Sequence, residues 1–266
     1  MTTWRQHSRS QGCGRGRRRY RSLEIAPSTQ RPMAESWNRI RNAVDGYPHE
    51  IIRLIGESYG PDSVQHAWRE FTNDESAQFS GDDLNVELFF SWLFHLWSPM
   101  PEKGIEVHDK ALYGVSPTRA YLLTGTPSRV DPLLRTYLEA CLASRPAFYE
   151  VDICKPFIGF QAQDVSTKRE IEVSERLAST SLKNGDIVFA YLVSIEDLTL
   201  VDAISPLSFP SRIRGPLTKL CRTIRGRELG AVELLSLYFS LLRSHRLFQR
   251  FGRDASAPAI KDYRPV

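Results

Sequence analysis

The chain has 266 residues, of which 41% are hydrophobic and 25% charged, a composition typical of a globular protein that buries its own core. The formal charge is +4, but residues 1–32 hold eight arginines and a single acid, so this segment is +7 and the remainder −3. A slightly acidic remainder gives no indication of bulk nucleic-acid binding by the folded part.

The four cysteines are far apart and form no CxxC pair. Zinc sites and disulfide frameworks usually show closer pairing, so the sequence predicts reduced thiols, no cofactor and no stoichiometric metal. No apolar stretch follows the N-terminal arginines, and the most apolar run, Val86 to Trp97, is shorter than the roughly 20 residues that span a bilayer. We therefore expect a cytoplasmic protein with no membrane partner.

Residues 1–34 are rich in Arg, Gly, Ser and Gln, which predicts a disordered basic tail. Its run GCGRGRRRYR is typical of a nucleic-acid-binding arm. The candidate contacts are its clustered arginines: Arg15, Arg17, Arg18, Arg19 and Arg21. The alternative is a tail without function, or one that is not translated, because Met33 stands just before the first periodic segment.

Apolar residues at helical spacing predict a helical domain over residues 35–146. Its predicted helices are 36–44, 49–59, one starting at 62, 84–97, 118–124 and 132–144. After Pro146 the pattern changes to short alternating segments, at 147–153, 157–165, 169–173, 186–193 and 198–203. Five such segments with turn residues between them predict a small β-barrel over residues 147–208.

Helical spacing returns after Pro210 and predicts C-terminal helices over residues 209–252 that pack on the body, followed by an extended tail at 253–266. The predicted fold class is therefore α+β: a helical bundle, an inserted five-stranded barrel and a C-terminal helical segment. Within the barrel, the run from Lys183 to Asp186 predicts a tight turn in which Gly185 takes a positive φ.

Catalytic signatures are missing: the sequence holds no GxxxxGK[ST], HExxH or GxSxG motif. His95 lies in the apolar helix with Ser91 and Glu87 on nearby turns, but a catalytic histidine also needs a positioned acid or nucleophile. A structural role in the core is the favoured interpretation of His95. Carboxylates that alternate along strands, such as Glu170 and Glu172, are interpreted as a solvated face.

The segment VSERLASTSLKNGD, residues 173–186, is longer than the about 2–5 residues that a hairpin needs. One interpretation is a plug that closes an end of the barrel; the other is a polar rim that contacts a ligand. The candidate binding residues are Glu175, Arg176, Ser179, Ser181 and Asp186.

Four sequence runs follow one another along the chain: YGPDSVQHAWREF, LFFSWLFHLW, AFYEV and DVSTKREIEVSERLASTSLKNGDIVFAYLV. In this order they resemble a family of uncharacterised bacterial proteins, many described as SEC-C motif-containing. The resemblance covers roughly residues 50–250 and implies a helical half that leads into a barrel. The matching positions are Phe148 to Val151, Asp164 to Thr167, Val173, Glu175, Arg176, Ala178, Ser179, Ser181, Leu182, Gly185 and Asp186.

That resemblance implies no activity. The chain lacks the cysteine-rich CxC…C[HC] element, so zinc is not implied either, and Lys168 stands where the family has a turn glycine. The favoured hypothesis is a non-enzymatic binding or adaptor protein with a protein partner. The alternatives are a nucleic-acid-binding protein that uses the tail and barrel, and an enzyme with a site between helices and barrel.

Overall fold

The computed structural model describes residues 27–103, 105–124, 130–223 and 230–251. Six helices precede the sheet: α1 (Pro27–Val44), α2 (Tyr47–Leu54, continued by a π-turn over Ile55–Tyr59), α3 (Ser63–Thr72), α4 (Val86–His95), α5 (Pro117–Thr124) and α6 (Pro132–Ala143). The predicted helical half is thus confirmed. Helix α1 begins at Pro27, so residues 27–34 are helical rather than part of a disordered tail; proline is well suited to a first helical turn because its φ is preset.

Five β-strands follow, with a short 3-10 helix (Ala178–Thr180) between the third and the fourth: β1 (Pro146–Lys155), β2 (Gly159–Asp164), β3 (Glu170–Val173), β4 (Ile187–Ile195) and β5 (Leu198–Ile204). All neighbours in the sheet are antiparallel, in the order β3-β2-β1-β4-β5. The α+β class and the five strands agree with the sequence-based prediction. Gly185 also has the expected positive φ, +85°.

The predicted barrel is wrong, because the sheet is open. Its edge strands β3 and β5 form no ladder, although the sheet curves enough for Ser174 N to donate to Thr199 O at 2.8 Å. Strand β3 has only four residues, and closure would require it to pair along β5. The alternating pattern predicted each strand but could not show whether the two edge strands would pair with each other.

Both faces of the sheet are apolar, and they belong to two different clusters. One face, which includes Phe148, Phe189 and Tyr191, joins the main core with the helices. The other face forms a smaller cluster around Val151, Phe160 and Val188. The helices therefore cover one side of the sheet, and the curvature of the sheet covers much of the other.

Two helices, α7 (Arg214–Thr223) and α8 (Ala231–Phe251), follow the sheet. Tyr238 of α8 stacks on Phe189 with ring centroids 4.8 Å apart, and its hydroxyl donates to Asn85 Oδ1 at 2.6 Å. This contact joins α8 to both the sheet and the start of α4. The predicted tail at 253–266 lies outside the described residues. Over the described ranges, no helix combines the length and apolarity that crossing a bilayer requires.

Candidate functional site

A group of polar side chains is buried where α4, α6 and β5 meet, and the carboxylate of Asp202 lies at its centre. Tyr137 OH donates to Asp202 Oδ1 at 2.6 Å, and Ser91 Oγ donates to Oδ2. The Asp202 side chain is only 7% exposed. A carboxylate this deep is stable only with several hydrogen-bond donors or an opposite charge.

A β-bulge explains why Asp202 points toward the helices. Tyr191 pairs with Ala203 and Leu192 with Val201, so Asp202 is an extra residue with no partner in the register. In a β-bulge, two successive residues of one strand lie opposite a single residue of the neighbouring strand, which changes the direction of their side chains. Ala203 belongs to the main core and Asp202 contacts α4 and α6, so both lie on the helical side of the sheet.

His95, the last residue of α4, is the second member of the cluster. Its Nδ1 lies 3.0 Å from Thr118 Oγ1. Its Nε2 lies 3.4 Å from Asp202 Oδ2, within the distance of an ion pair, but it lacks hydrogen-bond geometry and is buried without a hydrogen bond. The acid beside His95 is therefore Asp202, whereas Glu87 is exposed.

Cys141 of α6 is the third member, and its Sγ, His95 nitrogen and Asp202 oxygen all lie within 4.8 Å of one another. Burial, followed by the charge of Asp202, raises the pKa of the Cys141 thiol. Burial also tends to raise the pKa of Asp202, but the charge of His95 and hydrogen bonds from Ser91 and Tyr137 outweigh it and lower the pKa to about 2. Asp202 is therefore ionised at neutral pH.

Thr118, His95 and Asp202 follow the order of an acyl-transfer triad, but Thr118 is 0% exposed, so its hydroxyl is closed to a substrate. Such a triad needs a nucleophile bonded to a base that a third group orients. Here Ser91 donates to Asp202, and the His95 nitrogens face Thr118 and Asp202. The arrangement can hold a negative charge and present one nitrogen, one sulfur and one oxygen to the same small volume.

Segment 173–186, the candidate rim, is packed against α1 and β1. Glu175 is buried; its Oε1 accepts from Leu177 N at 3.0 Å and its Oε2 from Arg41 at 3.3 Å. Ser179 is 1% exposed, its hydroxyl donates to Arg176 O, and its carbonyl accepts from Cys154 Sγ at 3.1 Å. Glu175 and Ser179 thus hold the segment in place rather than face a ligand.

The other candidate residues of this segment lie nearer the surface. Ser181 is exposed, and its hydroxyl donates to Ala178 O. Asp186 Oδ2 accepts from Lys183 N at 3.0 Å within the tight turn. The Arg176 guanidinium lies 4.4 Å from the centroid of the Trp37 ring, and Trp37 Nε1 donates to Ser174 O at 3.1 Å. Among the candidate binding residues, Arg176 is therefore the one whose side chain is oriented by a ring contact and is still accessible to a ligand.

Large apolar side chains are exposed at the same end of the sheet. Leu177 is 78% exposed, and in the β1–β2 turn Phe157 is 71% and Ile158 45% exposed. Ile158 and Ser174 line one small depression, and the Cys154 bond to Ser179 joins the end of β1 to the segment. We call Phe157, Ile158, Arg176 and Leu177 the sheet-end patch.

The candidate nucleic-acid contacts of the tail, Arg15, Arg17, Arg18, Arg19 and Arg21, lie outside the described residues. No family model, curated protein or solved structure matches the chain. The resemblance to SEC-C motif-containing proteins therefore stays a prediction.

Sequence reasoning singled out His95 but missed Asp202, Cys141, Tyr137 and Thr118 as its neighbours. These residues come from different helices and a strand, so spacing along the chain could not bring them together. One signal was present in the sequence: Asp202 is the charged residue within the mostly apolar strand LTLVDAI. An acid inside a buried strand usually has a charged or hydrogen-bonded partner.

Proposed function

We propose that the chain is a non-enzymatic binding protein, and that its sheet-end patch recognises a short partner segment carrying a carboxylate and apolar side chains. The observation that carries the proposal is the Arg176 guanidinium, which is held on Trp37 beside exposed apolar residues. Enzyme function is less favoured, because the Thr118 hydroxyl that is bonded to His95 is fully buried and closed to a substrate.

The environment of the Arg176 side chain favours a partner that carries an acidic group. Within the described part of the chain, its guanidinium makes neither a hydrogen bond nor an ion pair; its contact is the Trp37 ring. A guanidinium has five N–H donors in a planar fork that fits a carboxylate. Because the ring already orients the side chain, less conformational entropy is lost when an acid binds.

The exposed side chains support a short partner segment rather than a folded subunit. A standard protein interface buries about 800 Å² on each partner, from about 20–30 residues a side. The three apolar side chains Phe157, Ile158 and Leu177 are too few for that, but a few anchors are enough to bind a peptide.

A display library of short random peptides tests this proposal with a defined probe. Wild-type protein is expected to enrich peptides that contain an acid and at least one large apolar residue. Arg176→Ala is expected to weaken binding of these peptides about tenfold or more, because hydrogen bonds to charged groups contribute about 1.5–3 kcal/mol. Affinities are measured by fluorescence anisotropy.

The control is Arg53→Ala, which removes another exposed arginine, on α2, and is expected to leave peptide affinity unchanged. Leu177→Ser is expected to weaken binding without lowering stability, because Leu177 is mostly exposed. The proposal is wrong if no peptide is enriched, or if the enriched peptides bind the Arg176 and Arg53 variants equally.

The +7 charge of residues 1–32 supports a second proposed function, nucleic-acid binding. Full-length protein is expected to bind duplex DNA and single-stranded RNA more tightly than a version that starts at Met33. The difference should shrink steeply between about 50 and 200 mM salt, because arginine–phosphate contacts release counterions. Equal binding by the two versions would instead place any nucleic-acid site in the rest of the chain.

A further inference from the structure

We propose that His95, Cys141 and Asp202 form a binding site for one zinc-class divalent ion in the core, between the helical half and the sheet. This inference does not depend on the sheet-end patch. It replaces the expectation of no metal, which was based on cysteine spacing alone. The three ligand residues lie 46 and 61 positions apart in sequence, so no short motif marks them.

The strongest evidence is the orphaned nitrogen of His95. The His95 side chain is 0% exposed, and its Nε2 is buried without a hydrogen bond. Leaving such a group unpaired costs free energy. Nε2 faces Asp202 Oδ2 at 3.4 Å, which is close to the separation of two ligand atoms each about 2.0–2.2 Å from a tetrahedral zinc ion.

The neighbouring residues are arranged as supports of metal ligands usually are. Metal-binding histidines commonly bond their second ring nitrogen to a fixed partner, and ligating carboxylates also accept hydrogen bonds. Here Thr118 Oγ1 lies 3.0 Å from His95 Nδ1, which directs Nε2 into the cluster. Tyr137 and Ser91 hold the two oxygens of Asp202.

The donor set identifies the class of ion. Thiolate and imidazole ligands favour zinc and similar transition metals, whereas magnesium and calcium prefer oxygen ligands alone. Zinc would bind the Cys141 thiolate and release its proton to solvent. One thiolate, one carboxylate and a neutral imidazole would then balance the two positive charges of the ion, which avoids an unpaired charge in the core.

The position of the site indicates a structural role. Its ligands come from α4, α6 and β5, so the ion would join two helices to the bulge of the edge strand. Since ligands this far apart in the chain meet only in the folded protein, metal binding would stabilise the folded state.

Titration of the dialysed, untagged full-length chain with Co²⁺ and Zn²⁺ tests the proposal. Co²⁺ bound by a thiolate gives a charge-transfer absorption band, and Zn²⁺ should displace it at about one equivalent per chain. A variant in which Cys13, Cys154 and Cys221 are all serine is expected to keep the band, because Cys141 remains. Thr118→Val is expected to weaken metal affinity about 10–100-fold, since it releases the His95 ring.

Cys141→Ser should remove the band, and elemental analysis should then find no zinc. The proposal fails if the wild-type chain takes up neither metal. It also fails if the variant that retains only Cys141 gives no thiolate band although its circular dichroism matches that of the wild type. In both cases the cluster would be a buried carboxylate beside His95, held by hydrogen bonds from Tyr137 and Ser91.

Discussion

Replacing Asp202 with alanine is expected to lower the free energy of unfolding by about 3–5 kcal/mol, the usual cost of removing one partner from a buried charge pair. The substitution leaves the hydroxyls of Tyr137 and Ser91 without their acceptor and the His95 ring without its neighbouring charge. Urea denaturation at neutral pH in the presence of a chelator measures this loss apart from any metal contribution.

Asp197→Ala is the matched control, because Asp197 is an exposed acid in the turn between β4 and β5; its effect should stay within about 0.5 kcal/mol. Equal effects of the two substitutions would show that the cluster contributes nothing to stability. A third variant, Asp202→Asn, keeps the size of the side chain and removes its charge.

Comparing the wild type with Asp202→Asn also shows how much of the pH dependence of stability comes from the Asp202 carboxylate. The pKa of Asp202 is lowered from 3.8 to about 2 in the folded protein, so its ionisation stabilises the fold above pH 4 and the benefit is lost as pH falls toward 2. The loss amounts to about 2 kcal/mol. Wild-type stability should therefore decrease more steeply than that of Asp202→Asn over this pH range.

Phe89→Ala is expected to lower the free energy of unfolding by about 3–5 kcal/mol, because it opens a cavity in the aromatic core. Phe89 is fully buried, and its ring centroid lies 4.9 Å from that of Trp68, 5.4 Å from Phe71 and 5.2 Å from Phe79. The edge-to-face contacts with Trp68 and Phe71 add to the free energy of burial. Thermal and urea denaturation both report the change.

Phe157→Ala removes the same side chain at a position that is 71% exposed, so its effect on stability should be below about 0.5 kcal/mol. The same variant should weaken binding of acidic, apolar peptides if the sheet-end patch is their site. A large stability loss in Phe157→Ala, or a small one in Phe89→Ala, would contradict the assignment of core and surface.

Arg41 connects the two proposed sites, which affects how they are tested. Its guanidinium donates to Val201 O at 2.8 Å, next to Asp202, and to Glu175 at 3.3 Å, in the segment that carries Arg176. An Arg41 variant would disturb both places at once. Arg176→Ala and Thr118→Val each change one site, so loss of peptide binding and loss of metal binding remain separate results.

The sequence by itself determined the features that depend on neighbouring residues. Apolar spacing located α4 and α6, alternation located the five strands, and the run from Lys183 to Asp186 predicted the turn with a positive φ at Gly185. These features are local because helix and strand periodicities, like turn conformations, are set within a few residues.

Only the tertiary structure decided whether the sheet closes and which polar residues meet. Closure depends on pairing between β3 and β5, and these two edge strands form no ladder. The meeting of His95, Cys141 and Asp202 depends on how α4 and α6 pack on the sheet and on one extra residue in the register of β5. Such contacts join positions far apart in the chain, so their partners are selected by packing in three dimensions rather than by sequence spacing.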